Sequence, residues 1–347
     1  MRFGIVGAGH IGQIRIQALR RVKDSELIAV ADIDRERART VVPSSGTLLF
    51  TDYQKMLTLD DMEAIIVSTP PQFHEEIVIA SLEAGKHVLC EKPLANSVEA
   101  CRRMVETSRK TGKVLATGFN HRYFSAIQLA KQTLDSGLIG ELDHVRAFAG
   151  HTGLSEFESS WMYNPKVMGG GALMDNGIHI IDLTRYFLGE VSEVFGIATS
   201  RVWKLDQVED NGLALLRSPQ GKSAILQATW CEWKGYRFHI EAYGDKGMVR
   251  AYYAPMMSLI ITMDKPGGRR RRRFHFYPMR IIREKLKGWQ VTTRETFEEE
   301  ITDFIRLTKG EKGTIADGFA GLRAVEIANA VYRSNEERQP VRLCHPF

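Results

Sequence analysis

The chain of 347 residues has little cysteine and no long apolar segment. Its four cysteines, Cys90, Cys101, Cys231 and Cys344, are scattered without a C-x-x-C pair, which argues against a disulfide framework and a zinc site. No run approaches the roughly 18 apolar residues that a membrane-spanning helix needs. Because an apolar strand begins as early as Phe3, we expect no signal peptide and a cytoplasmic protein.

The chain has no excess of positive charge outside one segment. The whole chain has a net charge of +5, yet residues 264–287 alone carry +8, which leaves −3 for the remainder. That distribution is not typical of a general nucleic-acid-binding protein. A charge run of this kind is usually a solvated surface loop, which is the first expectation here. Its interleaved apolar side chains leave open a contact with a neighbouring subunit, an anionic membrane surface or a phosphorylated sugar.

A glycine-rich turn follows the first apolar strand and fits the fingerprint of a dinucleotide-binding site. Its first glycine allows the tight turn, its second leaves room for the pyrophosphate, and its third lets the next helix pack close to the sheet. The N–H groups that begin this helix favour the negative charge of the phosphates. The predicted cofactor-binding residues of the turn are Gly7, Gly9, His10, Ile11 and Gly12.

An acidic residue stands at the distance that the fingerprint requires. Asp32 follows Gly12 by twenty positions, at the end of the second apolar run. Its carboxylate is expected to accept hydrogen bonds from the adenosine ribose and to repel a 2′-phosphate, which favours NAD as the cofactor. Arg35 and Arg37 lie close by and can accommodate such a phosphate, so NADP is not excluded.

The chain changes character near residue 120. Residues 1–120 alternate apolar strands with helices, which predicts a Rossmann domain with a doubly wound parallel sheet. Residues 121–347 contain longer strands of alternating pattern, which predicts an α+β domain with a large, mostly antiparallel open sheet. The predicted fold class is therefore α/β, with a dinucleotide-binding domain followed by a substrate-binding and oligomerisation domain.

Two further segments are expected to carry the chemistry. The first is Glu91-Lys92-Pro93, at the end of the fourth predicted strand. Ligands of open parallel sheets bind beyond the carboxyl ends of the strands, so Lys92 is expected to project toward the nicotinamide. The alternative is a solvated lysine in a surface turn.

The second segment begins with three glycines, Gly169 to Gly171, and continues into an apolar helix. Asp175 and His179 are four residues apart, so we expect them to share one helical face, with Asp182 close to it. The glycines allow the backbone to approach a ligand closely. A buried histidine satisfied by the aspartate four residues before it is the structural alternative.

The order of these segments along the chain resembles that of a known enzyme family. The glycine turn, the run 68–74, the run 84–94 and the segment 169–182 together resemble the Gfo/Idh/MocA family of NAD(P)-dependent sugar and cyclitol oxidoreductases. The resemblance extends from residue 1 to about residue 333. It implies a Rossmann domain and a second domain whose open sheet commonly forms the face of a homo-oligomer, a dimer or a tetramer.

The resemblance also implies roles for particular residues. It makes Lys92, Asp175 and His179 catalytic groups that also bind the substrate, together with Arg122 and Trp161. Many members have an arginine after this tryptophan; here Met162 stands there, so that substrate contact does not carry over. The cofactor contacts that it implies outside the glycine turn are Thr69, Pro70, His74, Glu91, Lys92 and Asn120.

The expected reaction is the oxidation of a secondary alcohol, with hydride transfer to the nicotinamide. Neutral His179 is the preferred base because the ordinary pKa of histidine, about 6.5, lies near working pH. The Lys92 ammonium would stabilise the developing alkoxide, although a desolvated Lys92 can also serve as the base. An NAD-dependent glycosidase that acts by transient oxidation, or a catalytically silent regulator of the same fold, is the alternative function. No metal site is predicted.

Overall fold

The computed structural model describes residues 1–42, 46–156, 160–311 and 313–343. The chain forms two compact units, the first made of Met1–Tyr123 with Arg283–Leu322 and the second of Phe124–Ile282 with Arg323–Phe347. The division at residue 120 stays a prediction, and the compact units differ from it because the segment 283–322 joins the first.

The described residues form the following strands and helices. The strands are β1 (Arg2–Val6), β2 (Glu26–Ala31), β3 (Leu48–Phe50), β4 (Ala64–Val67), β5 (His87–Cys90), β6 (Leu115–Thr117), β7 (Leu142–Gly150), β8 (Glu193–Thr199), β9 (Asn211–Arg217), β10 (Ser223–Thr229), β11 (Arg237–Gly244), β12 (Gly247–Tyr253), β13 (Met257–Thr262), β14 (Arg271–Phe276), β15 (Ala316–Asp317) and β16 (Val341–Arg342). The helices are α1 (His10–Leu19), α2 (Arg35–Val41), α3 (Tyr53–Leu57), α4 (His74–Glu83), α5 (Val98–Thr111), α6 (Ser125–Asp135), α7 (Pro165–Met168), α8 (Gly177–Leu188), α9 (Pro278–Lys287), α10 (Gln290–Thr308) and α11 (Gly318–Glu337).

The first unit is built on a seven-stranded sheet in the order β15-β6-β5-β4-β1-β2-β3. Every neighbouring pair is parallel except β15 and β6. The central strands are buried on both faces, as their continuous apolar sequences predict. This arrangement confirms the predicted Rossmann-type sheet.

Helix α10 explains why a late segment joins the first unit. It packs against α1, and its apolar side chains enter the core beneath the first strand. The rings of Phe3 and Phe304, for example, have centroids 6.1 Å apart. Tertiary packing of an amphipathic face, rather than position along the chain, therefore assigns α10 to this unit.

The second unit contains a nine-stranded sheet in the order β14-β13-β12-β11-β7-β10-β9-β8-β16. Only β7 and β10 pair in parallel among the neighbours of this sheet. Helices α6 and α8 pack against it, and alternate residues of its strands are buried. The predicted mostly antiparallel sheet is confirmed. Large apolar side chains that remain exposed on strands β8, β9 and β10 are Phe195, Ile197, Leu215 and Ile225.

The expectation that residues 264–287 form a surface loop is wrong for most of this segment. Residues Arg271–Phe276 form the edge strand β14, paired with β13, and Pro278–Lys287 form helix α9. Side chains alternate along a strand, so one face of β14 carries Arg271, Arg273 and His275 and the other carries Arg272, Phe274 and Phe276, while proline suits the first position of a helix. All residues of β14 are nevertheless exposed, as a charged edge strand requires.

Three sequence-based expectations concern thiols, metals and membranes. Cys90, Cys101 and Cys231 are not joined in disulfides within the described residues, and Cys344 lies outside them. In the same ranges, no group of three or more His, Cys, Asp or Glu side chains is placed to hold a metal ion. None of the helices there is long and apolar enough to span a membrane.

Candidate functional site

The glycine turn lies between β1 and α1 in the first unit. Gly7 has a φ of +95°, a conformation that favours glycine, and a Cβ there would lie 2.6 Å from the Ser68 carbonyl oxygen. A Cβ on Gly12 would lie 2.1 Å from the Gly7 carbonyl oxygen. At Gly9, by contrast, a Cβ would meet nothing within 4 Å. Two glycines thus serve the fold, and the third leaves open space where the fingerprint requires room for a ligand.

The start of α1 suits an anionic ligand. Gly9 is the residue that caps the helix, so no side chain caps the first turn. His10 begins the helix and is exposed, with its ring centroid 5.7 Å from that of Trp289, while Ile11 is half-buried. The uncapped N–H groups and the helix dipole fit the pyrophosphate of a dinucleotide. The residues present therefore fit the expected cofactor.

Asp32 follows β2 and is held in place by the backbone. Its two carboxylate oxygens accept hydrogen bonds from Ala8 N–H, at 2.7 Å, and from Asp34 N–H, at 2.8 Å. Each oxygen retains a lone pair that can accept from a ribose hydroxyl. Ile33 beside it is 91% exposed. The exposed Arg37 contacts Asp34 at 3.2 Å, so its guanidinium already has a carboxylate partner.

The segment after β4 is tied to the Glu-Lys-Pro segment by a histidine. His74 is completely buried, with Nε2 2.7 Å from the Thr69 carbonyl oxygen and Nδ1 3.1 Å from that of Pro93. Burial lowers the pKa of His74, and the contacts with the backbone carbonyls oppose that effect. Thr69 and Pro70 are half-buried. The structure shows His74 joining two loops, and direct cofactor contacts of these three residues remain predictions.

Lys92 and its neighbours lie directly after the fifth strand, β5. Lys92 is half-buried, and Glu91 before it contacts the buried Arg15 at 2.6 Å. His121 is close enough to Lys92 for their charges to interact, and burial together with that ammonium lowers the pKa of His121 to about 3. Burial likewise raises the pKa of the Cys90 thiol. Near neutral pH, His121 and Cys90 are therefore uncharged.

Asn120 and Arg122 lie in a 3₁₀ turn over residues Asn120–Tyr123. Both side chains are buried, and both bond within the first unit. Asn120 Nδ2 donates to Thr296 Oγ1 at 3.0 Å, and Arg122 Nη1 donates to the Thr314 carbonyl oxygen at 3.1 Å. These bonds fix the turn to the segment that follows α9. The predicted contacts of Asn120 with the cofactor and of Arg122 with the substrate stay predictions.

The triple glycine of the second unit is fixed by a buried glutamate. The Glu209 carboxylate accepts hydrogen bonds from Gly171 N–H at 2.9 Å, Leu173 N–H at 2.7 Å and the Tyr332 hydroxyl at 3.0 Å. A Cβ at Gly171 would lie 2.0 Å from the Glu209 carbonyl oxygen. Burial raises the pKa of Glu209, and the backbone hydrogen bonds oppose that effect. The glycine is required because the glutamate backbone approaches so closely.

Asp175 lies in the turn that follows these glycines. Its Oδ2 atom accepts a hydrogen bond from Trp230 Nε1 at 3.1 Å and lies 2.9 Å from His151 Nε2. Gly153 N–H donates to His151 Nδ1 at 3.0 Å, so the proton of the neutral imidazole belongs on Nε2, which donates to Asp175. All three side chains are buried. The carboxylate is thus oriented by two donors.

His179 lies in the first turn of α8, and it is buried. This helix begins at Gly177, so Asp175 precedes it, and the expectation that both residues lie on a helical face is wrong for Asp175. The cause is a turn in which Asp175 N–H bonds to the Gly171 carbonyl and Gly177 N–H to that of Ala172. Asp182 is buried further along α8.

Trp161 lies in the 3₁₀ turn Ser160–Tyr163 and is half-buried. It belongs to the second unit, as Asp175 and His179 do, whereas Lys92, Asn120 and Arg122 belong to the first. The roles predicted for these six residues, which are a cofactor contact for Asn120 and catalysis or substrate binding for the others, stay predictions.

Sequence reasoning missed several residues that build these sites. His151 and Trp230 directly follow β7 and β10, whose parallel pairing sets Gly150 opposite Thr229. Polar residues at the carboxyl ends of strands were visible in the sequence, but nothing there showed that these two strands are neighbours. The other missed residues are Arg15, His121, Glu209, Glu300 and Tyr332.

Family models match most of the chain. Residues 1–119 match the model of the oxidoreductase family with an NAD-binding Rossmann fold. Residues 127–250 match the model of the GFO/IDH/MocA C-terminal domain. The glycine turn and the Asp32 carboxylate, which backbone hydrogen bonds hold beside it, agree with these matches. Together they define an NAD-binding oxidoreductase. The predicted enzyme class and cofactor are thereby confirmed.

Individual proteins agree with this assignment. The chain is 29% identical over 349 residues to myo-inositol 2-dehydrogenase of Thermotoga maritima, covering 99% of this chain and 98% of that protein. It is 32% identical over 255 residues to inositol 2-dehydrogenase 3 of Saccharopolyspora erythraea, covering 72% of each. Levoglucosan dehydrogenase in complex with NADH and L-sorbose has the same fold, with a TM-score of 0.86 at 23% identity over 99% of each chain. The chain belongs to the Gfo/Idh/MocA family.

Proposed function

We propose that this protein is an NAD-dependent dehydrogenase that oxidises a secondary hydroxyl group of a sugar or cyclitol. The observation that carries the proposal is the buried Asp175 carboxylate, which His151 and Trp230 hold through one oxygen. A carboxylate oriented in this way is suited to accept hydrogen bonds from the adjacent hydroxyl groups of a polyol. The inositol and levoglucosan dehydrogenases that resemble the chain support this class of substrate.

Three side chains receive catalytic roles in this proposal. NAD supplies the hydride acceptor when it is bound. Neutral His179 takes the hydroxyl proton, and Asp175 orients the substrate hydroxyls and the imidazole. The Lys92 ammonium bonds to the reacting oxygen and stabilises its developing negative charge. The assignment requires all three side chains to reach one substrate molecule.

We further propose that NAD is preferred over NADP. The Asp32 carboxylate has lone pairs left for the two ribose hydroxyls and would repel a 2′-phosphate. Arg37 is paired with Asp34, which reduces its availability for such a phosphate. The exposed Ile33 offers an apolar surface beside this site.

The open sheet of the second unit supports a homo-oligomer. Its exposed apolar side chains, such as Ile197 and Leu215, lie on neighbouring strands and form a patch of the kind that marks protein interfaces. We propose that a second copy of the chain covers this patch. Sedimentation of the purified protein measures the number of subunits.

A panel of free sugars, inositols and nucleotide sugars, assayed by NADH absorbance with NADP in parallel, tests the activity. Lys92→Met and His179→Ala are each expected to lower kcat by about 10²- to 10⁴-fold while NADH binding is kept. Lys110→Met, at an exposed lysine of α5, is the control. Wild-type turnover in either variant would contradict the assignment. Stoichiometric NADH release distinguishes a dehydrogenase from a glycosidase, which returns its hydride.

A further inference from the structure

A completely buried arginine joins two buried glutamates inside the first unit. Arg15, in α1, has no exposed surface. Its Nε and Nη2 atoms each lie 2.6 Å from Glu91 Oε1, and Nη1 lies 2.5 Å from Glu300 Oε2 in α10. The guanidinium also lies 3.5 Å from the ring centroid of Phe297. We call Arg15, Glu91 and Glu300 the buried triad.

The buried triad connects the parts that make the cofactor site. Arg15 belongs to the helix that begins at the glycine turn, and Glu91 directly precedes Lys92, whose backbone N–H donates to Glu91 Oε2 at 3.3 Å. Gly118 closes over the pair, since a Cβ there would lie 2.7 Å from Arg15 Nη2. One guanidinium therefore fixes the carboxylate that is bonded to the Lys92 backbone.

Stability alone does not account for the buried triad. Removing three charged groups from water is costly, and apolar side chains of similar volume are often equally stabilising. When all three groups are ionised, two carboxylates share one guanidinium and leave a net charge of −1 in a water-excluded interior. The charge of a buried group acts on nearby groups far more strongly than a surface charge does.

We propose that Arg15 and Glu300 are positioning residues for the cofactor site, and that the ionisation of Glu300 sets the preference of this site between oxidised and reduced NAD. The proposal rests on the function proposed above only in placing Glu91 and Lys92 beside the nicotinamide. The nicotinamide ring is positively charged in NAD⁺ and neutral in NADH. A net charge of −1 in the buried triad therefore favours NAD⁺.

The surroundings of Glu300 place this ionisation near neutral pH. Burial raises the pKa of Glu300 to about 7, the charge of Glu91 adds to that effect, and Arg15 and Arg122 oppose it. Tyr123 also interacts with Glu300, and its hydroxyl donates a hydrogen bond to Asp303 Oδ2 at 3.1 Å. Burial keeps Tyr123 neutral by raising its pKa. Below about pH 7 the buried triad is thus neutral, and above it the net charge is −1.

The test measures the dissociation constants of NADH and NAD⁺ between pH 5.5 and 8.5, by NADH fluorescence and by competition. No substrate is needed, so failure of the proposed dehydrogenase activity does not affect the result. In the wild type we expect the affinity for NAD⁺, relative to the affinity for NADH, to increase by about three- to tenfold as the pH rises through 7. Glu300→Gln should lose this dependence and keep the low-pH ratio at every pH.

Two further variants separate positioning from simple structural support. Glu298→Gln makes the same change at a half-buried glutamate of α10 and should retain the wild-type pH step. Arg15→Lys keeps the charge but replaces the planar guanidinium, which contacts both carboxylates in a fixed geometry, by a single ammonium, so we expect weaker binding of both nucleotides by about tenfold. A wild-type ratio that is constant over this pH range overturns the proposal, even if every variant fails to fold. A Glu300→Gln variant that keeps the wild-type pH step also overturns the proposal.

Discussion

Replacing His151 by leucine removes one of the two donors that orient Asp175. The lost bond is a neutral N–H donating to a carboxylate at 2.9 Å, in a site where both residues are more than nine-tenths buried. Hydrogen bonds to charged groups are worth about 1.5–3 kcal/mol each. If the transition state depends on the orientation of Asp175, kcat should fall by about 10- to 100-fold, since about 1.4 kcal/mol corresponds to tenfold.

The assay combines steady-state kinetics on the best sugar or cyclitol with NADH binding. We expect NADH affinity to change less than about twofold, because the residues predicted to hold the dinucleotide belong to the other unit. His151→Gln, which can place an amide donor near the position of Nε2, should recover part of kcat. His144→Leu, at a more exposed histidine of β7 that is paired with Asp143, is the control.

Two results would refute this reasoning. The first is a His151→Leu enzyme whose kcat stays within twofold of the wild type while the protein is folded. The second is a loss of NADH affinity as large as the loss of kcat, which would mean that the substitution disturbs the whole protein rather than one carboxylate.

Further predictions concern the glycine turn, the ribose site and the triple glycine. Gly9→Ala should leave the free energy of unfolding unchanged, since its Cβ meets open space, yet weaken NADH binding by about tenfold or more. Gly12→Ala should lower the free energy of unfolding by about 2 kcal/mol or more, because its Cβ overlaps the Gly7 carbonyl oxygen. Asp32→Ala should weaken NADH binding and improve NADPH binding relative to it, measured by fluorescence titration. Glu209→Gln should lower the free energy of unfolding in urea by about 1–3 kcal/mol, because its amide N–H₂ would face a backbone N–H.

Each of these predictions can be contradicted by a particular result. Equal effects of the two alanine substitutions on stability would contradict the distinction between the open space at Gly9 and the close contact at Gly12. An Asp32→Ala variant with the wild-type ratio of NADPH to NADH affinity would remove the ribose assignment. A fully stable Glu209→Gln variant would show that the hydrogen bonds to the triple glycine do not support the fold.

Local sequence patterns predicted the strand, glycine turn and helix with which the chain begins. The glycine turn, the strand before it and the acid at the end of the next strand lie within 32 residues, and each role follows from backbone geometry. Short elements such as the strand β3 and the helices α2 and α3 have apolar patterns too brief for periodicity to stand out. The basic segment was misjudged since its charge suggested a loop, whereas pairing with β13 made part of it a strand.

The sequence by itself determined the cofactor class, the fold class and the family, because these depend on short motifs with fixed spacing and on hydrophobic periodicity. Only the tertiary structure decided which side chains orient the buried carboxylates of Asp175 and Glu91. Arg15 and Glu300 are 285 residues apart, and His151 meets Trp230 because β7 and β10 pair in parallel. Contacts of this kind arise from the order of strands and the packing of helices, which no local pattern of residues encodes.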